Sequence, residues 1–181
     1  MPQSSPKRDL EIAERVLRHW HEAVPNDRMA HLVKDAARGF LRALQGRLAP
    51  HDVQLGHWTF LRVLWERDGL TQRELTMEAG VMEPTTFAAL RAMEKLGYVS
   101  LEQRPDNRKN LFVYLTPLGK SLKSVLIPLA EEVNAIALDG LSAADVATAR
   151  RALMVMINNL AQDAGATVES GTERSHKVSA K

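Results

Sequence analysis

Three positively charged residues stand close together between two apolar segments, and their chemistry suits phosphate binding. Arg104, Arg108 and Lys109 lie in the segment RPDNRKN, whose other residue types are typical of a tight turn. Arginine and lysine side chains bind nucleic-acid phosphates, and this contribution to affinity falls steeply with salt. We expect Arg104 and Lys109 to be phosphate partners. The alternative is a solvated turn in which Asp106 and Asn107 serve only the backbone.

A second group of polar residues lies upstream, at the start of a predicted short helix. Thr85 and Thr86 fall in its first turn, where short side chains and backbone amides can meet bases or phosphates. Glu83 can accept a hydrogen bond from a cytosine amine, and Arg91 can reach a phosphate. The alternatives are ordinary helix-start threonines, a glutamate that complements the helix dipole, and a solvated arginine.

The element before this helix is itself a short helix with clear boundaries. Thr71 and Glu74 have the spacing of a capping box, and Gly80 allows the left-handed backbone that ends a helix. Gln72 and Arg73 begin this helix. In a helix-turn-helix the first helix crosses the DNA backbone, so both are candidate phosphate contacts.

The elements that follow complete a winged helix-turn-helix. Pro84 starts the second helix and Gly97 ends it. Residues 98–102 and 111–115 alternate between apolar and polar side chains, as strands do, and the basic turn joins them. A two-strand ribbon tipped with arginines suits a nucleic-acid groove or a phosphate surface.

Long amphipathic helices flank this unit on both sides. Helical spacing of apolar residues predicts helices at 9–23, 28–46, 53–66, 117–138 and from Ser142 to about 163. Pro128 lies inside the fourth helix and is expected to kink or weaken it. The apolar faces need a partner, which predicts a two-fold homodimer with interleaved terminal helices. The alternative is a helical bundle closed within one chain.

The predicted fold is therefore mainly α with a small two-strand β wing, of the α+β class. Residues 1–8 are expected to be a disordered lead, and 9–52 the N-terminal dimerisation helices. Residues 53–116 form the winged helix-turn-helix, 117–163 the C-terminal dimerisation helices, and 164–181 a disordered tail.

Composition excludes several classes of function. The 181 residues include no cysteine, which excludes disulfides and a thiol redox sensor. No apolar run approaches the roughly 20 residues of a membrane span, and the N-terminus does not lead into a signal-peptide core, so a cytoplasmic protein is expected. The chain has no metalloprotease motif, glycine-rich phosphate loop or nucleophile elbow. We therefore expect no enzyme activity, metal or cofactor.

The order of these parts resembles the MarR family of bacterial transcription regulators. The likeness covers about residues 28–163, and its most specific elements are Asp106-x-Arg108 and the segment LTPLG at 115–119. The resemblance implies a dimeric winged-helix repressor that leaves a palindromic operator when a small molecule binds. Phenolic or aromatic carboxylic acids are frequent effectors in that family. It also implies that Arg108 enters the minor groove, while Asp106 orients it or a neighbouring arginine.

The chain departs from the family pattern at two places. Six residues separate Arg108 from Leu115, one more than in the usual wing of the family. Ala88 and Ala89 occupy part of the recognition helix where the family often places an arginine. Base readout is therefore expected to depend more on Thr85, Thr86 and Arg91.

Four residues are candidates for an effector site between the dimerisation helices and the DNA-binding unit. His51, His57 and Trp58 fall where the second long helix meets the third, and Arg38 projects from the second. An arginine binds a carboxylate through two parallel hydrogen bonds, and Trp58 suits an aromatic ring. The alternative is that the histidines are structural and Arg38 is solvated.

Two other functions remain open from the sequence. A winged-helix module that binds another protein is expected to expose aromatic or aliphatic side chains on its recognition helix. An architectural DNA-binding protein that answers to no ligand is expected to show little sequence preference and no apolar pocket.

Overall fold

The computed structural model describes residues 11–12, 14–18, 29–105 and 107–178, with Arg108 and 164–178 described by their backbone alone. It divides into two compact units, one ending at Ala137 and the other beginning at Leu138. The helices are α1 (Met29–Leu48), α2 (Leu55–Glu66), α3 (Gln72–Ala79), α4 (Glu83–Lys95), α5 (Pro117–Ala137) and α6 (Ala143–Val178), with a short 3-10 helix at Ala49–His51.

The N-terminal helix predicted at 9–23 falls only partly within this description. Residues 11–12 and 14–18 are helical, and the rest of that prediction lies outside the described residues. Within the part of the chain that is described, no helix combines the length and the apolar character that crossing a bilayer requires.

A three-stranded antiparallel sheet completes the winged unit. Its strands are β1 (Leu70–Thr71), β2 (Val99–Arg104) and β3 (Asn107–Leu115), in the order β1-β3-β2. The prediction of a two-strand wing was therefore incomplete. Strand β1 is two residues long, too short to show any alternation, and it pairs Leu70 with Val113. Both wing strands extend further toward the turn than the predicted ranges 98–102 and 111–115.

The wing contains a bulge near its tip. Gln103 pairs with Leu111, whereas the next residue, Arg104, pairs with Asn107. Residues 108–110 of β3 therefore have no counterpart on β2. The bulge can accommodate the one additional residue between Arg108 and Leu115. Outside the bulge, the pairing is uninterrupted from Val99 with Leu115 to Gln103 with Leu111.

The predicted start and end of α3 are confirmed atom by atom. The hydroxyl oxygen of Thr71 accepts the amide of Glu74 at 3.2 Å, and the Glu74 carboxylate accepts the amide of Thr71 at 2.8 Å. Gly80 ends the helix with a φ of 64°, which a residue with a Cβ adopts at a cost. Helix α4 begins at Glu83, with Pro84 in its first turn as predicted.

The winged unit and its neighbouring helices share one buried core. Helix α2 contributes Phe60, Leu61 and Leu64, each at most 1% exposed. Around them pack buried side chains from the other elements of this unit: Leu48, Val53, Leu75, Leu90, Met93, Tyr98, Val113, Leu122 and Leu126. The apolar character of α2 on nearly all sides is thereby explained, because it is enclosed by several elements.

The first turn of α5 is fixed to the winged unit by a close backbone approach at Gly119. A Cβ at this position would overlap the carbonyl oxygen of Tyr98. The Trp65 indole donates to the carbonyl of Gly119 at 2.9 Å, and the amide of Thr116 donates to the carbonyl of Tyr98 at 3.1 Å. Glycine is therefore required here by contact distance, while its φ is ordinary.

Helices α1 and α5 retain large exposed apolar surfaces in the single chain. They are connected by an ion pair of 2.8 Å between Arg47 and Glu132. Helix α5 continues through Pro128 as one helix. Large apolar side chains nevertheless remain exposed on both helices: Met29, Leu32, Val33, Phe40, Leu41, Leu118, Val125 and Ile136.

The second unit contains α6. Its start is as predicted, because the Ser142 hydroxyl accepts the amide of Asp145 at 3.2 Å and the carboxylate of Asp145 accepts the amide of Ser142. The backbone is helical to Val178, whereas the sequence predicted disorder from residue 164. No proline interrupts this segment, so no covalent constraint ends the helix at the predicted boundary. The division of the flanking helices into dimerisation segments stays a prediction.

Candidate nucleic-acid interface

Helix α4 is held in place by one buried face. Thr86, Leu90 and Met93 are at most 1% exposed, and their spacing of four and three residues places them on one side of the helix. The residues on the remaining surface, Glu83, Thr85, Phe87, Ala88 and Arg91, are all exposed. The N-terminal half of α4 thus presents a continuous surface outside the core.

Thr86 does not belong to that surface, and its predicted contact with DNA is corrected here. Its hydroxyl lies 2.9 Å from that of Thr76 on α3 and donates to the carbonyl of Met82 at 3.3 Å. The Thr76 hydroxyl also lies 2.8 Å from the carbonyl of Gln72. The buried threonine pair therefore joins the two helices. Thr85, its exposed neighbour, stays a candidate.

Arg91 is exposed but held by two neighbours. Its guanidinium lies 2.8 Å from the Glu94 carboxylate, and its Cζ is 5.4 Å from the centroid of the Phe87 ring. The prediction offered a phosphate contact or free solvation. The structure instead gives Arg91 a local ion pair and a cation–π contact, either of which a phosphate would have to share.

Sequence reasoning missed the exposed apolar residues at this surface. Phe87 is 50% exposed, Met82 75% and Met77 72%. From the sequence alone, the helical spacing of Phe87 and Leu90 predicts that both lie on the apolar side of the helix. The sequence does contain a signal for the exposed position of Phe87. If Thr86 is counted as a core residue, the helical spacing of Thr86, Leu90 and Met93 defines the buried face, and Phe87 lies outside it.

At the start of α3, Arg73 is exposed and Gln72 is partly buried. The carboxylate of the neighbouring residue, Glu74, takes part in the capping box with Thr71. Its hydrogen bond with the Thr71 hydroxyl lowers its pKa from the usual value. Arg73 keeps its candidacy as a phosphate contact, because the adjacent carboxylate faces Thr71.

Arg104 lies flat against the wing. Its Cζ is 4.0 Å from the centroid of the Phe112 ring, and its Nε donates to the Tyr114 hydroxyl at 2.7 Å. Its Nη2 also contacts that hydroxyl. The register shift beside Gln103 accompanies this arrangement. Arg104 was predicted to bind phosphate, and the structure holds its charge on an aromatic surface near the wing tip.

The remaining wing candidates are less fully described. Lys109 is exposed and lies in the bulge at 108–110. Asp106 and the side chain of Arg108 lie outside the described residues, so the minor-groove role implied for this pair stays a prediction. The backbone places Arg108 in the same bulge as Lys109.

The four residues predicted to bind an effector divide into two buried and two exposed side chains. His57 is 4% exposed, its Nδ1 accepts the amide of Gln54 at 3.4 Å, and burial lowers its pKa. Trp58 is buried with its ring edge-to-face against Trp65 at 5.8 Å. Both are core residues in the single chain, which contradicts their predicted place on a ligand surface.

The other two predicted effector residues are more accessible. Arg38 is exposed on α1 and lies 3.9 Å from the Asp35 carboxylate. His51 is partly buried at the end of the 3-10 helix, and its carbonyl accepts the Tyr98 hydroxyl at 3.3 Å. No contact between Arg38 and the other three residues is recorded in the described part of the chain.

An open cavity of about 520 Å³ lies elsewhere in the first unit. It is lined by Arg62, Val63, Trp65, Glu66, Arg67, Leu70, Glu78 and Ile127. Arg67 and Glu78 are 3.5 Å apart, so part of the lining charge is neutralised. None of the four predicted effector residues lines it. Within the described ranges, no group of three acidic or histidine side chains could hold a metal ion.

Residues 53–111 match the model of the MarR family. Over this segment the chain is similar to the MarR family. The match begins at Val53, just before α2, and ends within β3, so it covers the helix-turn-helix and most of the wing. Helices α1, α5 and α6 lie outside the matched segment.

This chain is similar to known transcription regulators over part of its length. It is 30% identical over 110 residues to the HTH-type transcriptional regulator TtmR of Methylorubrum extorquens, covering 60% of this chain and 56% of TtmR. The chain thus spans little more than half the length of that curated relative.

Two solved MarR-like structures share its fold. One is a putative MarR family transcriptional regulator from Listeria monocytogenes complexed with 26mer DNA, with a TM-score of 0.67 and 23% identity, covering 76% of this chain and 91% of that one. The other is BpsR of Bordetella bronchiseptica, whose DNA binding is regulated by 6-hydroxynicotinic acid. Its TM-score is 0.66 at 18% identity, covering 72% of this chain and 98% of BpsR.

Proposed function

We propose that this protein is a homodimeric, DNA-binding transcriptional regulator: a repressor that a small aromatic acid releases from a palindromic operator. The observation that carries the DNA-binding part is the geometry of α4. Its buried face, Thr86, Leu90 and Met93, is locked into the core, while its N-terminal half is exposed to solvent. A recognition helix needs this combination, because it must be rigidly held and still reach base edges.

The surrounding surface supports phosphate contact on both sides of α4. Arg73 is exposed at the start of α3, and Lys109 is exposed in the wing bulge. Phosphate contacts fix the register of a protein on the duplex, while base contacts supply sequence preference. The Listeria relative was solved in complex with DNA, which supports the same use of the shared fold.

The apolar surfaces of α1 and α5 support the homodimer. Met29 is 56% exposed and Phe40 is 38% exposed on α1, and α5 exposes Ile136. Exposed side chains of this size cost free energy in water, and a second copy of the chain offers a matching surface. A two-fold dimer would present two α4 helices to half-sites about 34 Å apart on one face of DNA.

The effector part of the proposal is supported by the family resemblance and by BpsR, whose DNA binding is regulated by a hydroxylated pyridine acid. Arg38 remains the candidate carboxylate partner, since it is exposed and pairs only loosely with Asp35 at 3.9 Å. The burial of His57 and Trp58 in the single chain argues against direct contacts from these two side chains. The proposal therefore specifies the class of ligand and the release of DNA as its consequence.

Fluorescence anisotropy on DNA from upstream of the protein's own gene tests the proposal. Binding should be tight and should remain selective over unrelated DNA at the higher of two salt concentrations. Arg73→Ala and Arg108→Ala should each weaken binding, whereas Arg42→Ala, on the exposed surface of α1, should not. Hydroxylated aromatic acids are then titrated into the complex, and release of DNA is the expected result.

A protein-binding module is a second candidate, and one observation favours it. Exposed Met77, Met82 and Phe87 are the kind of side chains that a protein interface buries. Unselective or absent binding to upstream DNA, together with no motif enriched from a random DNA pool, would contradict the regulator and leave this alternative.

A further inference from the structure

We propose that Phe87 is a base-reading residue and that its ring packs against the methyl group of a thymine in the major groove. This inference rests on the proposed DNA-binding function and adds a specific base preference to it. Neither the sequence pattern nor the family match assigns a role to Phe87.

The position of Phe87 on α4 is the first step. Helix α4 begins at Glu83, so Phe87 is in its second turn, within the part of a recognition helix that meets base edges. Successive residues turn by about 100° around a helix, which places Phe87 well away from the buried side chain of Thr86. Half of its surface is accordingly exposed.

The second step is that the ring already has a contact in the free protein. The Arg91 guanidinium lies 5.4 Å from the ring centroid, and Arg91 is itself paired with Glu94 at 2.8 Å. This chain of contacts lies against one part of the ring and favours the orientation seen. An ordered side chain loses less conformational entropy when it binds.

The third step concerns what a phenyl ring can recognise. It offers no hydrogen-bond donor or acceptor to a base edge, and a polar edge pressed against it would lose its water without gaining a partner. The apolar feature that distinguishes one base in the major groove is the thymine C5 methyl group. Exposed Ala88, the next residue, adds only a methyl group and lets the helix approach closely.

The cation beside Phe87 favours DNA over a protein partner as the occupant of this surface. Arg91, whose guanidinium lies 5.4 Å from the ring centroid, is exposed, and Arg73 on α3 and Lys95 at the end of α4 are further exposed cations of the same two helices. A groove walled by phosphates suits an apolar ring with a cation beside it. Glu83 and Thr85 in the first turn can supply the polar base contacts beside it.

Selection from a pool of randomised duplex DNA is the first test, because it requires no known operator. The full-length protein should enrich a two-fold symmetric motif with thymine at one fixed position in each half-site. Phe87→Ala should enrich the same motif with the preference for thymine lost at that position. Met77→Ala, which removes a comparably exposed apolar side chain from α3, should leave every position of the motif unchanged.

Substitution of deoxyuridine for that thymine is the second test, since it removes only the methyl group. The wild-type protein should lose about fourfold in affinity per half-site, the effect of one buried methyl group. Phe87→Ala should bind the thymine and uracil duplexes within twofold of each other. Thermal melting by circular dichroism checks its folding, and the wild-type comparison of the two duplexes tests for the methyl contact independently of the variant.

The outcomes separate this inference from the function on which it rests. If the wild-type protein enriches a motif but tolerates uracil everywhere, the role of Phe87 is overturned and the regulator stands. If the variant retains the thymine preference, the role is likewise overturned. If the wild-type protein enriches no motif at all, the proposed function fails, and the inference fails with it.

Discussion

The winged unit and helix α1 differ in how completely a single chain buries their apolar surface. In the winged unit the large apolar residues of α2 are enclosed, and Phe60, Leu61 and Leu64 are at most 1% exposed. On α1, Leu48 is buried at the C-terminal end, whereas Met29 and Phe40 remain exposed. Among the described residues α2 is enclosed on nearly all sides, whereas α1 leaves large apolar side chains exposed.

This difference separates two tasks. For the proposed DNA binding, the winged unit needs a fixed internal geometry, because α4 would have to be held rigidly to read a sequence. In the proposed homodimer the flanking helices would determine the distance between two such units, and their exposed apolar side chains suit assembly with a second copy. Substitutions in the two regions should therefore have different consequences, the first on folding and the second on association.

The largest effect is expected at Gly119. Gly119→Ala places a Cβ against the Tyr98 carbonyl oxygen, so the first turn of α5 must shift and its hydrogen bond with Trp65 must be strained. Overpacking of this kind costs about 3 kcal/mol of unfolding free energy, measured by urea denaturation. Gly56→Ala is the matched control, because a Cβ there meets nothing within 4 Å and should not destabilise. If the two variants were equally stable, the close approach of Gly119 to the Tyr98 carbonyl would be contradicted.

The next effect concerns association. Phe40→Glu puts a charge on the exposed apolar side of α1 and should weaken dimerisation by about 2 kcal/mol, roughly thirtyfold, because the ring no longer contributes its burial. Sedimentation velocity over a concentration series measures this. The control is His31→Glu, whose position lies on the opposite side of α1 by helical geometry. A Phe40→Glu protein with unchanged dimerisation would place the interface elsewhere.

A smaller effect is expected at the capping box. Thr71→Ala should destabilise the winged unit by about 1 kcal/mol near pH 7, because the amide of Glu74 loses its acceptor. The hydrogen bond with Thr71 lowers the pKa of Glu74, so its stabilisation is complete above the ordinary glutamate value of 4.5 and is lost as pH falls through the folded pKa. Urea denaturation should show the difference from wild type narrowing at acidic pH. Thr71→Ser keeps a hydroxyl acceptor and should retain most of the wild-type stability.

The smallest effect is expected at His57. Burial lowers its pKa below the usual 6.5, so protonation favours the unfolded chain as soon as pH falls below that value. His57→Gln should therefore lose less stability than wild type between pH 7 and pH 5 in thermal melting, where His31→Gln should follow wild type. An identical pH dependence in all three proteins would contradict a neutral, buried His57.

Local signals in the sequence were sufficient for the helix-turn-helix. Thr71 and Glu74, Gly80, Pro84 and Gly97 each act on the residues beside them, and the elements they delimit were predicted correctly. Strand β1 could not be predicted, because two residues carry no periodicity and their pairing depends on β3, about 40 residues later.

The candidate site was less predictable, because exposure depends on packing between distant segments. Thr86 is buried by a hydrogen bond from α3, and that burial rotates Phe87 to the surface. Arg104 stacks on Phe112 beside the point where the strand register shifts. His57 was read as a ligand contact, but its environment is set by Gln54 and by the ring of Tyr98, 6.3 Å away.

The bulge at 108–110 gives the wing and helix α4, the two elements proposed to contact DNA, unequal freedom to change during evolution. An insertion or deletion there alters a loop that has no partner on β2, while the pairing of Leu111–Leu115 with β2 is preserved. One residue inserted into α4 would instead turn everything beyond it by about 100° and expose the side chains that hold the helix. The wing can therefore vary in length among descendants of this protein, whereas the recognition helix can vary only in the side chains it displays.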